Sequence, residues 1–228
     1  MNRLLLLLLV PLVFAPAADN AGFPFTDEQL TYSINWPSGL SLGEGKLNSR
    51  HTGEGWDLEL TLDAAIPGYA VKDSYKSRAT AAMCSSYFAR NSLHGKKKVD
   101  ETTSVDFGKK VATRATAGGG KTDIPLTECL KDALSYLFWC RRELGQGRVP
   151  SAQPVLFGAL YQADFQYAGE AQIAVNDKPT KTDKLLCHLK GPASDIKFEM
   201  YVARDAARTP LVFRVPLPMG TFSMEIVR

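Results

Sequence analysis

Beyond one stretch near its start, the sequence has no long apolar run, and this rules out a helix-spanning membrane protein. Lys and Arg number 27 against 24 Asp and Glu, a formal net charge of +3. So weak a surplus excludes the strongly basic face that nucleic-acid binding needs. Histidines are scarce, with His51, His94 and His188 far apart. There is no C-x-x-C pair, no H-E-x-x-H helix and no G-x-S-x-G elbow, so a metal centre or a His-based hydrolase has no motif behind it. A hydrolase built around His188 or Asp132 is the remotest of the readings. No cofactor or metal is implied.

The one apolar run is informative. Met1-Asn2-Arg3 is a short positive start, Leu4 to Phe14 is apolar apart from Pro11, and Ala15-Pro16-Ala17 places small residues at an A-x-A cleavage site. This is the pattern of a secretory signal peptide. The run falls short of the roughly 20 residues of a transmembrane helix. No cysteine follows to take a lipid anchor. Residues 1–17 are therefore expected to be removed near Ala17, and residues 18–228 to form a single β-rich domain, periplasmic or secreted.

Export makes oxidised cysteines the expectation. Four are present: Cys84, Cys129, Cys140 and Cys187. A helix is predicted from about Asp132 to Leu144, and it would hold Cys129 and Cys140 about 16 Å apart. A disulfide needs its Cα atoms within about 7 Å. Two pairings remain. The expectation adopted is Cys84–Cys129 with Cys140–Cys187, although loop length does not separate it from the crossed alternative.

Alternation dominates the rest. Leu30, Tyr32, Ile34 and Trp36 alternate with polar residues, as do Trp56, Leu58, Leu60 and Leu62, and then Ile196, Phe198, Met200 and Val202. A period of two marks strands with one buried face. Strands are also expected over 69–83, 155–167, 170–176, 182–190, 210–216 and 220–227, with hairpin material over 87–116. Turns are expected near His94-Gly95, Asp106-Phe107-Gly108, Gly118-Gly119-Gly120 and Asp205–Arg208. In the helix, Asp132 is the expected N-cap, Leu134, Leu137, Phe138 and Arg141 share a face, and Gly145 is the expected stop. The predicted fold is mainly β (α+β): a long curved antiparallel sheet or half-barrel, with one central helix packed on its concave face.

Several features invite a functional reading. Gly118-Gly119-Gly120-Lys121-Thr122 ends like a phosphate-binding loop, but Ala115 stands where the first glycine belongs and no helix is expected after it. Lys96–Lys98, Lys109-Lys110 and Lys121 lie near hairpin tips and could meet anionic headgroups. Trp36, Trp56 and Trp139 could line an apolar cavity, and Asp132, Ser135 and Arg141 a polar site on the helix. For each, the plainer explanation is a core residue, a cap or a solvated strand end.

Three segments carry a resemblance. Glu28 to Trp36 with Gly43 and Gly45, the helix Asp132 to Arg141, and Asp205, Arg208, Thr209 and Pro210 resemble, in order and spacing, a family of exported bacterial proteins of unknown function. The resemblance implies a curved half-barrel on a helix, similar to the LolA/LolB lipoprotein carriers and mycobacterial lipid carriers, which hold acyl chains in the concave face. It also favours Cys84 with Cys129, whereas Cys140 departs from the family's usual residue. The resulting expectation is a non-catalytic binding protein for a lipid or other apolar ligand. Its candidate ligand residues are Trp36, Trp56, Leu134, Phe138, Asp132 and Arg141. The alternative is a structural or protein-interaction module of the envelope, with an envelope protein as partner. Contact with a membrane surface, without spanning it, fits either.

Overall fold

The computed structural model describes residues 27–66, 69–126, 128–192, 194–218 and 220–227. The predicted leader lies outside them. Eight strands come first: β1 (Glu28–Asn35), β2 (Ser41–Thr52), β3 (Gly55–Ile66), β4 (Tyr69–Thr80), β5 (Ser85–His94), β6 (Lys97–Asp106), β7 (Val111–Thr116) and β8 (Lys121–Pro125). A two-residue strand β9 (Lys131–Asp132) leads into the helix α1 (Ala133–Gly145). Six strands follow: β10 (Gln153–Leu156), β11 (Leu160–Val175), β12 (Lys178–Lys190), β13 (Asp195–Ala203), β14 (Pro210–Leu217) and β15 (Gly220–Val227).

All belong to one sheet of fifteen strands, in the order β8 to β1, then β15 to β9. Each hairpin neighbour in sequence is a neighbour in space, as short turns favour. The exception is in the middle, where β1 pairs with β15, Thr31 opposite Val227 and Asn35 opposite Ser223. Every pairing is antiparallel except β9 with β10. Register breaks at Ile34/Asn35, Arg78/Ala79, Tyr167/Glu170 and Tyr201/Val202 bend the strands; such irregularities increase local twist. The expected strands 155–167 and 170–176 are in fact the short β10 and the sixteen-residue β11, continuous across its break.

The apolar face is concave and α1 fills it. Leu134 and Phe138 pack with Tyr32, Leu47, Trp56, Leu58 and Phe88 from the first half of the sheet. Tyr136, Cys140 and Leu144 pack with Val155, Phe165, Leu185 and Met200 from the second. The helix is thus buried on two faces, one more than the sequence pattern predicts. Spacing of three and four from Leu134 finds only the first, because a wedge between two sheet halves has no single apolar stripe.

The helix ends are closed locally. The Asp132 Oδ1 accepts from Leu134 N at 2.8 Å and Ser135 N at 3.1 Å, and Ser135 Oγ accepts from Asp132 N at 2.9 Å, completing a capping box. At the other end, Gly145 is helical and Gly147 (φ 73°) is the residue that turns left-handed. Gly147 N donates to Leu144 O at 3.0 Å and Arg148 N to Glu143 O at 2.9 Å, a Schellman closure that only an achiral residue enters without strain.

The predicted lysine cluster is split. An up-and-down meander sends alternate turns to opposite ends. Lys96–Lys98 and Lys121 therefore stand at one end, and Lys109 and Lys110 at the other. The Gly118–Gly120 loop is a hairpin turn, and Lys121 opens a strand rather than a helix.

Candidate functional site

Five of the six residues expected to hold a ligand are in the packed interior. Trp56, Leu134 and Phe138 are 2%, 3% and 0% exposed, and Asp132 and Arg141 are 0% and 1%. With α1 in place they fill the concave face rather than line a hollow. Trp36 lies apart, half-buried at the end of β1 with its ring edge-on to Phe222 at 4.8 Å. There it borders a surface hollow together with Glu199, Arg214 and Glu225.

The two polar members hold the fold. Asp132 Oδ2 accepts from Ser77 Oγ at 2.5 Å, tying the helix cap to β4. Burial pushes its carboxyl above the usual range, with the Ser77, Ser135 and Leu134 donors working in the opposite direction. Arg141 is buried and does not reach solvent. Its Nη1 and Nη2 donate to the two Glu28 oxygens at 2.6 and 2.8 Å, and its Nε donates to Ala207 O at 3.1 Å. A bidentate guanidinium–carboxylate fork offsets the cost of taking both charges out of water. Glu28 opens β1, and Ala207 lies in the turn where Asp205 Oδ1 accepts from Thr209 N and Arg208 reaches Asp183 at 2.6 Å. The three segments that carry the family resemblance therefore meet at Arg141.

The cysteines divide. Cys84 and Cys129 form a disulfide across 45 residues of sequence, as the resemblance implies. The expected Cys140–Cys187 bond is absent: both are free thiols, buried in the same half of the core. Burial raises both thiols well above their ordinary range, which keeps them protonated and unreactive at neutral pH.

Among the described residues no group of His, Cys, Asp or Glu is arranged to hold a metal. His94 Nε2 contacts Asp73 at 2.9 Å and His188 Nε2 contacts Asp195 at 2.7 Å, on different strands of opposite halves. No described helix is long and apolar enough to cross a membrane.

A further opening lies at the seam of the sheet. A cleft of about 720 Å³ runs between the β7–β8 edge and the β10–β11 hairpin. Ile124, Pro154, Leu160 and Tyr161 line it, with Arg114 and Lys190 among the polar residues. A smaller hollow of about 160 Å³ shares Ile124, Pro154 and Leu160 with it and continues past Leu126 and Leu130 to the disulfide. Leu160 is 40% exposed there. Sequence reasoning missed all of these residues. They come from four separate segments, and only the curvature of the sheet brings the edges together.

The family model described as a protein of unknown function (DUF3108) matches residues 31–227. The chain belongs to this family. None of the curated proteins matches the chain by sequence. Among solved structures, the β-barrel-like protein of domain of unknown function DUF1849 from Brucella abortus is similar to it. The TM-score is 0.62 at 8% identity, over 89% of this chain and 96% of that one. At that identity the likeness is one of fold. The match agrees with the barrel-like curvature of the sheet and carries no activity with it.

Proposed function

We propose that this DUF3108 member is an exported, non-catalytic binding protein for a lipid or other apolar ligand, and that the seam cleft is its site. The observation that carries the reading is the cleft itself: a volume of about 720 Å³ with Ile124, Pro154, Leu160 and Tyr161 in its walls. Ligand sites are concave, mostly apolar and usually about 300–1,000 Å³. The leader-like start of the sequence supports export, and no covalent step is assigned to any residue.

A saturable signal is expected when an uncharged apolar fluorophore is titrated into the protein. Leu160→Asp should weaken that binding at least about tenfold while leaving the melting temperature unchanged, because burying a carboxylate against the ligand is costly and the exposed leucine contributes little to the core. Absence of saturable binding, or binding indifferent to Leu160→Asp, overturns the proposal.

A second reading, an interaction module of the envelope, has one observation in its favour. The strand β8 has no partner beyond it among the described residues, and such an edge can accept an added strand. A stable crosslinked protein partner contacting β8, with the cleft empty of lipid, would favour it.

A further inference from the structure

The floor of the cleft carries a net positive charge. Arg114 lines it, and its Nε donates to Glu101 Oε2 at 2.9 Å while Nη2 donates to the same oxygen, leaving Nη1 outside the pair. Glu101 is 4% exposed and faces a second guanidinium, with Arg90 Nη1 3.8 Å from its other oxygen. Two arginines thus share one buried carboxylate, and the cluster keeps a net positive charge. The Arg90 Nε and Glu101 Oε1 are buried without hydrogen-bond partners.

The hairpin loop of the cleft sits directly on this cluster. Arg90 stacks 4.8 Å from the Phe157 ring, and a Cβ on Gly158 would come within 2.4 Å of Glu101 Oε1. Gly158, at φ 74°, is also part of the cleft wall. On the far wall stands Lys190. Its ladder partner Asp195 is engaged by His188 at 2.7 Å. No acidic side chain is among the described residues that line the cleft. An apolar trough with cations at its wall and no anion complements a molecule with an apolar body and a negative end.

We propose that the cleft takes a single-chain amphiphile with an anionic head, its chain along Ile124, Pro154 and Leu160 and its head paired with Arg114 and Lys190. This rests on the apolar-site reading and specifies its ligand class. The charged head is held by charge-assisted hydrogen bonds, which are stronger than neutral ones.

The test uses a chain-matched pair, dodecanoate and dodecanol, titrated as monomers at pH 8 into the purified protein. Dodecanoate should bind about tenfold more tightly, the difference one charge-assisted hydrogen bond supplies. Lys190 is exposed, so Lys190→Glu should fold normally and should erase or reverse that ratio. Lys97→Gln, at the β5–β6 turn and outside the cleft, should leave it unchanged. Equal binding of the acid and the alcohol overturns the anionic head while sparing the apolar site. Binding of neither overturns both. A preference that survives Lys190→Glu overturns the assignment of the head to this wall. Binding to anionic vesicles without binding of the monomer would make it a surface contact and also overturn it.

Discussion

Where β1 meets β15, the first and last strands are joined by a ladder of residue pairs running from Thr31–Val227 to Asn35–Ser223. Tyr32 Oη reinforces it with a bond to Pro210 O at 2.8 Å, and the Arg141–Glu28 fork anchors the helix to the same place. At the other side of the sheet β8 and β9 follow one another in sequence yet stand at opposite ends of the strand order. No ladder joins them. Instead β9 and the residues leading into it are tied to β4 and β5, by the Cys84–Cys129 disulfide, the Ser85 N to Leu130 O bond at 2.7 Å, and the Ser77 bond to the helix cap. The joined side is continuous and sealed, whereas the seam is stapled at points and leaves the cleft between them. Backbone pairing closes a sheet completely, and point contacts close it only where they sit.

This contrast can be broken first at the staple. Replacing both disulfide cysteines, Cys84→Ala with Cys129→Ala, releases a loop of 45 residues and should cost about 4 kcal/mol in the chain-entropy model. Denaturant unfolding measures the loss. Hydrogen exchange should show it concentrated in β6–β9, with the β1–β15 ladder still protected. Alkylation of the native wild-type protein should leave Cys140 and Cys187 unmodified, and both should react once it is unfolded.

A smaller effect is expected on the joined side. Glu28→Gln leaves the wholly buried Arg141 side chain with a neutral partner and should cost about 3 kcal/mol, since breaking a buried pair strands a charge. Here exchange should rise in β1, β15 and the end of α1, and spare β6–β8. If the two variants loosen the same strands, the two sides are not independent.

The smallest change sharpens the comparison by pH. Burial holds the Asp132 carboxyl above its ordinary 3.8, so the folded protein binds its proton more readily than the unfolded chain. That contribution is fully present below 3.8 and is lost as pH rises through the raised value. Asp132→Asn keeps a good cap, should shift stability at neutral pH by less than about 1 kcal/mol, and should flatten this part of the pH profile. A profile identical to wild type would show that Asp132 titrates as it does in the unfolded chain.

Much of the fold was legible residue by residue. The run Trp56, Leu58, Leu60, Leu62 lies in β3, and Trp56, Leu58 and Leu60 pack into the core, because a strand turns every second residue the same way. The turns at His94-Gly95 and Asp106–Gly108 fall between β5, β6 and β7 as read. Asp132 caps α1. The second face of the helix was not legible, since Tyr136, Cys140 and Leu144 become core only when β11 to β13 arrive behind them. The free state of Cys140 and Cys187 was equally hidden, because a cysteine count does not say which thiols meet.

The candidate site was legible least of all. The residues singled out for a ligand were chosen for being large, apolar or charged near the helix, and those are the properties that also fill a core. Arg114, Leu160 and Lys190 have no local pattern to betray them. By itself the sequence determined the strands, their turns, the capped helix α1 and the family, because each depends on neighbours a few residues away. Only the tertiary structure decided that β1 pairs with β15, that the helix fills the concave face, and that a cleft opens at the seam. Those outcomes depend on which distant segments curvature brings together, and alternation along a strand carries no record of that.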